Sequence, residues 1–116
     1  MVTWAEVGAV ALSMPEVTEG HAHEGSPAYH VAGRQFVRLR WEGDREILQF
    51  WAPDPGAREA LVRTEPDKFS ISRAFPAAVF AWLDQLSMAE VTEVVADSWT
   101  AKAPNAYPNP RCQRSP

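Results

Sequence analysis

The chain has one cysteine, Cys112, among its 116 residues. No internal disulfide can form, and its place near a Pro-rich end argues against a catalytic thiol or a metal ligand. That usage fits a reducing compartment, so a cytoplasmic location is expected. Long hydrophobic runs are also missing. Nothing approaches the roughly 18 apolar residues that span a bilayer, and the first residues lack the basic and apolar regions of an export signal. The six glycines are scattered singly among turns. They form neither a phosphate-cradling G-x-x-x-x-G-K-[ST] loop nor a strained G-x-S-x-G elbow.

Basic charge is scarce too. Lys and Arg number 11 against 15 Asp and Glu, a formal net charge of −4. Residues 104–116 contribute Arg111 and Arg114 but no acid, so the remainder stands at −6. A duplex-binding protein normally carries a basic footprint, because phosphate neutralisation supplies most non-specific affinity. Any nucleic-acid contact must come from a local patch working against an unfavourable overall field.

Apolar side chains are plentiful, at 46% of the chain with five Trp. That is enough for one two-layer core and too little for two. The pattern predicts a helix over about 3–13, capped by Thr3 with Glu6 completing a capping box, and stopped by Pro15. Trp4, Val7, Ala11 and Met14 recur at helical spacing on its inner side, while Gly8 weakens it by about 1 kcal/mol. Residues 20–23 and 27–32 read as short strands. The clearest hairpin joins 34–41 to 45–51 through Gly43-Asp44, a loop suited to a type II′ turn. Its register sets Leu39 opposite Leu48 and Val37 opposite Phe50, an all-apolar face.

A second helix starts at Pro55 behind the Asp54 cap and ends by Glu65. Phe69–Ile71 and Ala78–Leu83 read as strands, with Pro76 confining the start of the latter to the residue after it. The last helix covers about 88–101, opened by a Ser87/Glu90 capping box, with Met88, Val91, Val94, Val95 and Trp99 inward. Glu90, Glu93 and Asp97 line its other side, which reads as a solvated face. Residues 104–116 read as a flexible Pro-rich tail after a single domain over 1–103.

Few constellations point to chemistry. His21 and His23 share one strand face, with His30 on the next strand, yet their spacing matches no closed metal motif. No metal and no cofactor are expected. Ser26 and His30 lack a positioned nucleophile's setting, and no catalytic residue is assigned, so the chain reads as non-enzymatic. The mixed face of the hairpin is more suggestive. Arg34, Arg38 and Arg40 alternate along one strand with Phe36 between them and Trp51 across from it. Guanidinium groups bind phosphates in bidentate fashion and rings stack on bases. The plainer reading is that arginine stems simply cover apolar sheet.

Three stretches also carry a family resemblance. They are Glu19-Gly20-His21-Ala22-His23-Glu24-Gly25-Ser26-Pro27-Ala28-Tyr29-His30-Val31, Gly33-Arg34-Gln35-Phe36-Val37-Arg38-Leu39, and Ser98-Trp99-Thr100-Ala101-Lys102-Ala103-Pro104. In order and spacing they resemble the MmcQ/YjbR family of small bacterial α+β domains, usually labelled DNA-binding. The resemblance spans about 5–104 and implies no catalytic residue and no cofactor. Two departures weaken a phosphate-tracking surface. Asn105 and Ala106 stand where basic residues often follow the last Ala-Pro, and Ala77–Trp82 is unusually alanine-rich.

The expectation is an α+β two-layer sandwich, with an antiparallel sheet of about five strands and three main helices packed on one face. The leading function is a non-enzymatic DNA-binding protein of the MmcQ/YjbR type. Arg34, Arg38 and Arg40 would meet phosphates, and Phe36 and Trp51 would serve as stacking platforms. The alternative is a protein- or small-ligand-binding module, or a self-associating one, using the same aromatic-rich face. DNA or a protein partner is expected, with no membrane role and a monomeric state.

Overall fold

The computed structural model describes residues 2–103; the segment 104–116, read above as a flexible tail, lies outside them. Thr3 opens α1 (Trp4–Leu12) with a reciprocal capping box to Glu6. The chain reverses through Glu16, at φ 60°, into β1 (Val17–His21). That strand begins three residues earlier than the periodicity predicts. Then come β2 (Pro27–Val31), β3 (Arg34–Glu42), β4 (Arg45–Trp51), α2 (Pro55–Thr64), β5 (Phe69–Ser72), β6 (Phe75–Trp82), a single 3₁₀ turn (Leu83–Gln85) and α3 (Met88–Lys102).

Among the described residues the fold is α+β, with three helices and six strands rather than about five. The sheet is antiparallel in the order β1-β2-β3-β4-β6-β5. Val37 pairs with Phe50 and Leu39 with Leu48, as the hairpin chemistry demands. Only Gly43 of the two turn residues has positive φ, the pattern of a type II′ reversal. Strand β6 begins at Phe75, so Pro76 sits inside it rather than before it. That is tolerated because β6 overshoots β4: its pairing with β4 ends at Ala78, and no bond from a proline nitrogen is required there.

One face of the sheet is covered. Val37, Leu39, Leu48, Phe50, Phe69, Val79 and Ala81 meet Val7 and Ala11 of α1 and Val91, Val95 and Trp99 of α3 in one buried cluster. Each large side chain withdrawn from water in this way contributes on the order of 1.5–3 kcal/mol. The indole N–H of Trp99 also donates to the Pro15 carbonyl at 3.0 Å, tying α3 to the turn after α1. Met88, expected inside, is instead 40% exposed at the first position of α3. Helix α2 has no fully buried residue.

Candidate ligand-binding face

Among the described residues, no helix covers the middle of the sheet's other face. Strand register sets two rows across it. Ala28, Arg38, Gln49, Phe80 and Ser70 form one; Arg40, Ile47 and Trp82 form the other. The expected arginine strand therefore lies on this face, but its side chains are not laid out as a free cationic stripe.

Phe36 departs most from expectation. It is fully buried and belongs to the helix-side core. The cause is a β-bulge: Tyr29 pairs with Val37 but His30 pairs with Gln35, leaving Phe36 as the extra residue. A bulge breaks the strict alternation of side chains, so Phe36 and Val37 both reach the core. As a stacking platform for bases Phe36 is unavailable.

Arg38 is likewise withdrawn, at 6% exposure. Its Nε donates to Ser26 Oγ at 3.1 Å, and its Nη2 lies 3.0 Å from Glu24 Oε2. The β1–β2 loop folds back to supply both partners. Arg38's hydrogen bond and charge hold the Glu24 carboxyl below its usual range. Arg38 is thus neutralised within the fold and cannot meet a phosphate without giving up Glu24.

Arg40 sits differently. Its Nε donates to the buried Gln49 side chain, and its guanidinium lies over the rings of Phe75 and Phe80, 4.8 and 5.9 Å from their centroids. Nη2 is buried with no hydrogen-bond partner. Burial, then the nearby Arg38, pulls its pKa below the usual guanidinium value, against the pull of Glu24. Among the described residues no carboxylate pairs with it.

Trp51 and Arg34 occupy the opposite end of β3 and β4. The Lys102 ammonium, from the end of α3, lies 4.7 Å from the Trp51 ring centroid. Burial and the charge of Arg34 lower the pKa of Lys102. Trp82 carries a cation as well: Arg45 is 3.8 Å from its ring centroid and makes two 2.9 Å bonds to Asp84. Such contacts occupy ring faces with charge–quadrupole attraction of about 0.5–2 kcal/mol each. Of the five residues predicted to meet nucleic acid, only Arg34 is exposed.

Phe75, Phe80, Trp82 and Gln49 were not singled out by sequence reasoning for a site. Phe75, Phe80 and Trp82, with Trp41, Ile47, Lys68 and Ile71, frame a cleft of about 410 Å³ in front of Arg40, and Gln49 lies buried behind it as the acceptor for Arg40 Nε. A hint existed in the run of aromatic and apolar residues from Phe75 to Trp82, but its packing partner did not show. A separate groove of about 490 Å³ runs between α2 and α3, floored by Phe50, Leu61, Phe69 and Val94 and edged by Glu90, Glu93 and Asp97. The acidic stripe thus borders a groove, and Glu90 is tied to Lys68 at 2.9 Å. No three His, Cys, Asp or Glu side chains gather as a metal-binding group among the described residues. No helix among them is long and apolar enough to cross a membrane.

An antiparallel sheet with helices on one side and a cleft on its other face defines a small α+β domain. The family profile of YjbR matches residues 12–101, and the chain belongs to the YjbR family. Neither a curated protein nor a solved structure matches the chain.

Proposed function

We propose that this YjbR-family chain is a non-enzymatic binding module that engages its partner through the open face of its sheet. One observation carries the reading. Trp41, Ile71 and Phe75, three of the five large hydrophobic side chains that stay exposed among the described residues, all border the cleft in front of Arg40. Exposed apolar groups scattered singly need no explanation, whereas a cluster rimmed by polar groups marks an interaction site. No catalytic constellation accompanies the cluster, and its polar members stabilise rather than activate one another.

Nucleic acid is the second reading, favoured by the other end of the same sheet. Arg34, Lys102 and Trp51 gather there two cations and a ring on the −4 chain. The patch is small, and its reach is limited to one or two phosphates.

Salt separates the two readings. Labelled duplex and single-stranded DNA are titrated by anisotropy between roughly 50 and 200 mM salt, the range over which phosphate-driven affinity collapses. Sedimentation of the protein alone across the same range follows self-association. Steep salt dependence supports nucleic acid. Salt-insensitive association lost in Ile71→Asp supports apolar docking at the cleft. An open face that binds neither DNA nor a second copy nor a small ligand overturns the proposal.

A further inference from the structure

Arg40 differs from the ion-paired cations in what surrounds it. Arg38 has Glu24, Arg45 has Asp84, and Lys68 has both Glu65 and Glu90. Arg40 has a neutral amide on Nε, rings over its face and a buried Nη2 without an acceptor. A half-buried charge without an ion pair, and a buried donor left unsatisfied, are both unfavourable. A buried donor left in that state calls for an acceptor that the protein's own side chains do not supply.

The surroundings narrow what that ligand is. The walls in front of Arg40 are flat and apolar: Trp41, Ile71, Phe75, Phe80 and Trp82. Glu42 and Asp67 stand on the rim, and Lys68 is already committed to Glu65 and Glu90. One guanidinium without an ion pair is therefore on offer, and the rim carboxylates disfavour a multiply charged anion. At about 410 Å³ the cleft has the size of a small-molecule site. Phe75 is the ring closest to the Arg40 guanidinium, its centroid 4.8 Å from Cζ. It follows the Arg73-Ala74 turn and is itself 39% exposed.

We propose that this cleft binds a small planar monocarboxylate, its carboxylate on the Arg40 guanidinium and its ring system among Phe75, Phe80 and Trp82. The assignment rests on the open face being the binding surface and adds the ligand's chemical class. A carboxylate supplies the missing acceptor in the geometry a guanidinium prefers, and a flat apolar body replaces water over the exposed rings.

Naphthoate and its neutral isostere naphthylmethanol are the probes, titrated into the full chain. The Arg40 Nε–H resonance and the Trp82 indole resonance are followed by heteronuclear NMR. Naphthoate is expected to shift both, with the alcohol at least about tenfold weaker, the loss that follows from removing hydrogen bonds to a charged group. Arg40→Met should lose naphthoate to the same degree, and Arg40→Lys should recover only part of it. Should Arg40→Met fail to fold, the acid–alcohol comparison on the unaltered chain decides alone. Equal binding of acid and alcohol overturns the carboxylate assignment, and so does a flat titration with both. If the flat result comes with intact DNA binding or self-association at the sheet, only this inference fails and the open-face reading stands.

Discussion

The Ser98 hydroxyl donates a hydrogen bond to the carbonyl of Phe36, 62 residues away in sequence. The same oxygen accepts the Trp51 N–H at 2.8 Å. A single buried side chain on α3 thus fastens the β-bulge of β3 and the end of β4. Backbone groups freed by a bulge need partners, and here one hydroxyl serves both strands.

Ser98→Ala is therefore expected to leave a buried carbonyl and a part-buried N–H without that partner and to destabilise the fold by about 1–3 kcal/mol. Urea unfolding checks this. Because the bulge turns Phe36 inward, the variant should also loosen Phe36 packing, visible as new shifts at its ring protons. A change below about 0.5 kcal/mol would show that water replaces the hydroxyl, as at ordinary surface sites.

Gly8 lies under Tyr29. A Cβ there would stand 2.2 Å from the Tyr29 hydroxyl oxygen and 2.9 Å from its ring carbon. On propensity alone Gly8→Ala should stabilise α1 by about 1 kcal/mol. The contact reverses the sign, because Tyr29 is buried in the sheet and cannot swing away freely. The variant should lose about 1–3 kcal/mol, the usual cost of overpacking. Tyr29→Phe combined with Gly8→Ala should recover part of that loss in a double-mutant cycle, since the ring carbon remains close.

Glu90 offers a pH test. Its carboxyl accepts the Ser87 N–H, and this bond, followed by that from Lys68, holds its pKa below the ordinary 4.5. A carboxylate lowered on folding contributes stability in full above its unfolded value and loses it as pH falls through the folded value. The window thus lies below 4.5. Glu24 and Asp84 are lowered too, by Arg38 and Arg45, and act in the same direction. Urea midpoints measured from neutral pH down through that window should fall, and Glu90→Gln should remove part of the decline while leaving the remainder.

If nucleic acid binds, the cations at the Trp51 end should carry it. Replacing Arg34 and Lys102 together with Ala should weaken binding at every sequence and flatten the salt slope by up to about two. Arg38→Ala is the control with the opposite lesson. Its guanidinium is held by Glu24 and Ser26, so its loss should reduce stability and leave the salt slope unchanged. A slope that responds to Arg38 rather than Arg34 would place the contact elsewhere.

Local chemistry was enough to determine much of this protein. Capping boxes at Thr3/Glu6 and Ser87/Glu90, the Asp54 cap and the Gly43-Asp44 reversal each bind residues within three positions of one another, so the helix starts and the central hairpin register follow from neighbours alone. The family was legible as well, since motif order survives in the linear chain. What tertiary structure decided is where the alternating arginines and aromatics end up. A bulge opposite His30 sends Phe36 inward, the Glu24–Ser26 loop buries Arg38, and the turn before Phe75 lays a ring over Arg40. Those outcomes depend on partners 6 to 35 residues distant, and a period-two pattern makes no provision for a skipped position or a returning loop.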